Sequence, residues 1–77
     1  MNLAIAQELF KAGDLIQARI EPVLIHGGFT LVLVRRDGSR ESLTRTKTKD
    51  MKIYKRDNGA KQDAAKIGFK EVSLLFD

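Results

Sequence analysis

The segment RTKTKD, residues 45–50, alternates cations with hydroxyls: Arg45, Lys47 and Lys49 are separated by Thr46 and Thr48. Residues of these types suit one kind of chemistry. Each cation can contact a phosphate and release a condensed counterion, and each hydroxyl adds a hydrogen-bond donor. The segment sits inside a larger basic block. Residues 35–56 carry Arg35, Arg36, Arg40, Arg45, Lys47, Lys49, Lys52, Lys55 and Arg56 against Asp37, Glu41 and Asp50, a net charge of +6. Residues 1–34 and 57–77 each carry −1, so the whole +4 excess of the chain lies in this central block. Charge concentrated in this way points to an anionic partner more strongly than scattered charge does. Tyr54, between Lys52 and Arg56, offers a ring on which a base can stack. The competing reading is a solvated hairpin whose cations keep a sheet edge unpaired, with Tyr54 half-buried in the sheet.

Catalysis has less to work with. His26-Gly27-Gly28 has the composition of an oxyanion loop, but no G-x-S-x-G elbow accompanies it and the chain has one histidine. A turn that uses glycine for positive φ is the simpler reading. The ten carboxylates are dispersed, and none pairs with another at a spacing that demands general acid–base work. One histidine and no cysteine leave little to hold zinc, and neither a P-loop nor a dinucleotide fingerprint is present. The expectation is a protein that is not an enzyme and needs no cofactor or metal. Absence of cysteine fits a reducing compartment. No apolar run approaches the roughly 20 residues of a membrane span. The N-terminus MNLAIAQELFK lacks a basic region ahead of its apolar part. These features predict a cytoplasmic protein with no membrane partner.

The elements that must position the basic block follow from periodicity. Residues 3–12 predict a helix with Leu3, Ile5, Ala6, Leu9 and Phe10 on one face, Asn2 as N-cap and Gly13 as terminator. From Leu15 to Glu21 the period changes to two, with Ile16, Ala18 and Ile20 on one face. Pro22 ends this strand or confines it to an edge, and residues 23–25 can extend it. Phe29 to Arg35 is apolar on both faces, which predicts a central strand covered on both sides, by the helices or by a second subunit. Asp37-Gly38 predicts a hairpin. A two-residue loop there pairs Arg36 with Ser39, Arg35 with Arg40, Val34 with Glu41 and Val32 with Leu43. Arg35 opposite Arg40 is a costly like-charge pair that Glu41 can relieve diagonally.

Met51 and Ile53 predict the core face of a fourth short strand. Continuing that strand back through 45–50 would align three cations with those core residues, so 45–50 is expected to project as a ribbon tip or loop. Asp57 or Asn58 should cap a second helix running to about Ile67, with Ala60, Ala64 and Ile67 as its apolar stripe. Gly68 ends it, and residues 69–76 form a last strand with Val72, Leu74 and Phe76 inward, parallel to the fourth. The expected fold is a single α+β domain over residues 1–77. It has an N-terminal helix, a mainly antiparallel sheet of three to five strands, and a second helix before the last strand.

Three stretches, AGDLIQARI after the first helix, GGFTLVLVRRDGSRESL as the hairpin and DAAKIGFKEVSL as helix, glycine and strand, together resemble small plasmid-encoded accessory proteins, including partition-associated ones. Such proteins often carry an aromatic residue after a basic one ahead of the second helix, and Tyr54 with Lys52 corresponds to it. The resemblance implies a cytoplasmic, non-enzymatic bacterial protein from a plasmid or similar mobile element, and it assigns no functional residue. The residues themselves lead to non-catalytic binding of nucleic acid, DNA ahead of RNA, through the 35–56 ribbon. The alternative is a homodimerising or partner-binding module with no nucleic-acid activity.

Overall fold

A computed structural model describes residues 1–24, 27–45 and 50–74, with Leu74 described by its backbone alone. In chain order the elements are α1 (Leu3–Lys11), β1 (Leu15–Pro22), β2 (Phe29–Arg35), β3 (Arg40–Ser42), β4 (Ile53–Tyr54), α2 (Asp57–Ile67) and β5 (Ser73–Leu74). The sheet runs β3-β2-β1-β5, with β4 also paired to β2. All pairings are antiparallel except β1 with β5. The architecture is the expected α+β class, with the second helix between the fourth strand and the last.

Helix α1 begins where Asn2 accepts the Ile5 N–H at 2.9 Å, which satisfies one of the orphan donors of the first turn. Ala6 is fully buried, and Leu3, Leu9 and Phe10 pack around the same core. Ile5 does not join them. It lies about 100° around the helix from Ala6 and is half-exposed. Helix α2 starts one residue earlier than a capping aspartate would place it: Arg56 is the N-cap, without a side-chain cap bond, and Asp57 is the first helical residue. Asp57 instead pairs with Lys61 one turn on, at 3.6 Å. Ala60, Ala64 and Ile67 form the expected buried stripe, joined by Asp63.

Three register details depart from the periodicity. In β1 a bulge lies between Leu15 and Gln17. The extra residue turns Leu15 inward with Ala18 and Ile20, and leaves Ile16 60% exposed rather than on the core face. The hairpin is shifted by one residue from the two-residue loop. Val34 opposes Arg40, Leu33 opposes Glu41 and Val32 opposes Ser42. The loop closes with Gly38 N–H on the Arg35 carbonyl, Gly38 at φ +92°, and Arg35 N–H on the Ser39 carbonyl. That is a three-residue connection with a left-handed glycine. Asp37 reinforces it by accepting both the backbone N–H and the hydroxyl of Ser39. A slip of one residue inverts every side chain of a strand. Here it carries Leu43 into the core beside Leu31, where 1% of it is exposed, and turns Arg40 outward. The Arg35–Arg40 pair therefore does not form.

The third departure is at the far edge. β5 pairs in parallel with β1, not with β4. Helix α2 has eleven residues and so rises about 16 Å, enough to carry the chain across the roughly 14 Å of three strand spacings from β4 to the free edge of β1. Val72 packs on the core as expected. β1 ends at Pro22, and Val23 and Leu24 do not extend it: Leu24 lies in a turn and is exposed. Ile25, the turn residue His26, the inward placement of Leu74 and Phe76, and the segment 46–49 lie outside what the structure describes.

Both helices pack on one face of the sheet, the face carrying Leu31, Leu33, Ala18 and Ile20. Across the other face, Thr30, Val32 and Val34 of β2 stand beside Glu21, Arg19 and Gln17 of β1. Val32 and Val34 are only 7% and 9% exposed. The second apolar stripe is thus buried within the single chain, and no second subunit is needed to bury it. Thr30 is buried there too, and its hydroxyl has no hydrogen-bond partner among the described residues.

Candidate nucleic-acid interface

β3 and β4 run in the same direction along the same side of β2. They are two halves of one edge strand. Leu43 donates its N–H to Leu31, and Lys52 donates to the Leu43 carbonyl, so the halves meet at Leu43. Between them the chain leaves the sheet as a ribbon. Thr44 bridges Met51 antiparallel, and the Arg45 N–H donates to the Asp50 carbonyl at 3.0 Å. Thr44 also donates to the Met1 carbonyl, which ties the base of the ribbon to the start of the chain. The stem of the expected ribbon is therefore present, and Lys47 and Lys49 belong to the undescribed part.

This interruption also sets the core face of the fourth strand, which is not the expected Met51 and Ile53. Because β4 continues the β3 ladder, its inward residue is Tyr54, opposite Phe29, and Ile53 faces outward opposite Thr30. Met51 is exposed rather than in the core.

The seven described cations of the block separate into two groups. Arg35 and Lys52 are held by carboxylates. Arg35 lies on the helix-side face at the end of β2. It donates to Asp14 through Nε and Nη2, at 2.9 and 2.5 Å, and to Glu41 through Nη1 at 3.1 Å. Its hydrogen bonds to Asp14 and Glu41, reinforced by their charge, hold its pKa above the usual guanidinium value. Glu41 reaches it because the shifted register puts both on one face. Lys52 donates to Asp63 of α2 at 2.7 Å and stands 5.3 Å from the Tyr54 ring centroid.

Tyr54 is 7% exposed, and its hydroxyl donates to the same Asp63 oxygen. Burial pushes the phenol pKa up, and the hydrogen bond and charge of Asp63 push it further, so it stays a donor. The Tyr54 ring is thus committed to the core and is withdrawn from base stacking. Gly28 makes the close packing around this residue feasible: it sits at φ +98°, and a Cβ there would stand 2.4 Å from the Tyr54 carbonyl oxygen.

Asp63 is a nearly buried carboxylate that accepts from two donors, Lys52 and Tyr54, and has Lys66 3.8 Å away. Burial disfavours its charge, but the hydrogen bonds from Lys52 and Tyr54 and the charges of Lys52 and Lys66 outweigh that and hold its pKa below the usual range. A carboxyl with a depressed folded pKa contributes stability above its unfolded pKa and loses it as pH falls through the folded value. Asp63→Asn should therefore be destabilised at pH 7 by about 1–3 kcal/mol. The gap to the parent chain should narrow below about pH 4. Urea melts of the two chains at several pH values check this, and a gap independent of pH would show that the charge of Asp63 contributes nothing.

The second group is free to act outward. Arg36, Arg40, Arg45, Lys55 and Arg56 are exposed. None forms a salt bridge among the described residues. They follow the β3–β4 edge in order: Arg36 and Arg40 at the hairpin, Arg45 at the ribbon stem, Lys55 and Arg56 beyond Tyr54. Five residues of β2 separate the position opposite Arg40 from that opposite Tyr54, about 17 Å along the edge. The sequence pattern placed these cations in one block. It did not distinguish the two that fold needs, because the carboxylates that claim them, Asp14 and Asp63, lie outside the block.

Among the described residues no group of three or more histidine, cysteine, aspartate or glutamate side chains could hold a metal ion, and no helix is long and apolar enough to cross a membrane. Comparison with protein-family models, curated proteins and solved structures found no match to the chain.

Proposed function

We propose that this chain is a non-enzymatic, cytoplasmic accessory protein that binds nucleic acid through phosphate contacts along its β3–β4 edge. Arg36, Arg40, Arg45, Lys55 and Arg56 make the contacts, and Lys47 and Lys49 extend them. Arg35, Lys52 and Tyr54 brace the edge from behind and do not touch the ligand. One observation carries the reading. The basic block forms a sheet edge with a ribbon stem leaving it, and five of its exposed cations, Arg36, Arg40, Arg45, Lys55 and Arg56, have no salt-bridge partner among the described residues. A merely solvated edge would need only a few such charges to stay unpaired.

Fluorescence anisotropy of labelled DNA at two salt concentrations tests this. Five to seven phosphate contacts give an affinity that falls roughly a thousandfold between about 50 and 200 mM salt. Binding with that dependence is the expected result. Absence of binding at the lower salt would return the edge to a solvated surface.

A further inference from the structure

Resting on that reading, we infer that the ligand is a double helix rather than a single strand. Recognition of single strands without sequence preference joins a basic groove to aromatic rings on which successive bases stack. The basic block contains one aromatic residue, Tyr54, and the fold buries it under α2 with its hydroxyl on Asp63. Phe29, opposite Tyr54 in the ladder, packs against the core. Phe10 and Phe69 pack edge to face on each other, 4.9 Å apart, beside the β1 bulge and away from the basic edge. The described cationic edge therefore presents charge without a stacking platform.

A surface of charge alone favours the polymer with the denser charge. A DNA duplex carries one phosphate charge per about 1.7 Å of axis, against about 3.4 Å for each of its strands. The roughly 17 Å between the two ends of the edge is long enough to meet several charges of this line. Each contact on a duplex also releases more counterion than the same contact on a single strand, about 0.9 against 0.7. Over the five exposed cations the salt dependence is then about one unit steeper in log–log slope for the duplex.

The test titrates the protein into a labelled duplex DNA and, separately, into one of its strands, at about 50 and 200 mM salt. The duplex should bind at least about tenfold tighter at the lower salt and show the steeper slope. Equal or tighter binding of the single strand overturns the duplex inference while leaving the edge as the site. Binding of neither overturns the site itself, and the inference with it.

Discussion

Charge reversal at three points along the edge, Arg40→Glu with Arg45→Glu and Arg56→Glu, should lower DNA affinity by about a thousandfold at about 50 mM salt. At that concentration each counterion release is worth roughly a factor of ten, and each lost contact flattens the log–log salt slope by about one unit. The three side chains are exposed and bear no described salt bridge, so the fold should survive. Circular dichroism and the thermal midpoint provide that control. The same reversal at Arg35 would be uninformative, because it would break the contacts to Asp14 and Glu41 that pin the end of β2. An unchanged salt slope in a folded triple variant would remove the edge from the binding surface.

The second large effect concerns the register. Leu43→Ala should cost about 2–5 kcal/mol, because Leu43 is 1% exposed and packs in the main core. In a domain of this size that is about 10 °C or more in the thermal midpoint. Ile16→Ala should cost about 0.5 kcal/mol or less, since the bulge leaves Ile16 at the surface. The contrast is the useful measurement. Simple alternation from Leu15 assigns Ile16 to the core, and a two-residue hairpin loop puts Leu43 on the opposite face from Leu31 and Leu33. Chemical denaturation of both variants decides between the registers, and a larger loss for Ile16→Ala would refute the bulge and the shifted hairpin together.

Elements whose signals are local were legible in the residues alone. Asn2 caps α1, Gly68 ends α2, the double-faced apolar run of Phe29–Arg35 is the central strand, and Asp37-Gly38 turns the hairpin. What escaped was set by contacts between distant residues. A bulge at Ile16 has no local marker, because both Leu15 and Ile16 are apolar and only the register against β2 chooses between them. The three-residue loop and the two-residue loop share the same Asp-Gly signal, and burial of Leu43 selects the first. β5 pairs with β1 because α2 spans the sheet, which periodicity in 69–76 does not encode. At the site the stem of the ribbon is present as expected, but not for the expected reason, because Met51 is exposed and Ile53 faces outward. The fate of Tyr54 was not legible. Its burial follows from β3 and β4 being one interrupted strand, and from Asp63, which the helical pattern showed only as a polar residue beside an alanine stripe.

The interrupted edge strand has a consequence for how the protein can vary. Its ladder is closed on both sides of the excursion by Leu43: the Leu43 N–H reaches Leu31, and the Leu43 carbonyl receives Lys52. The ribbon is therefore an insert hung on a single residue, and its length is decoupled from the register of everything after it. Doubling such an insert costs only about 0.6 kcal/mol in closure entropy. The connection between Thr44 and Met51 can thus lengthen while β4, α2 and β5 keep their places.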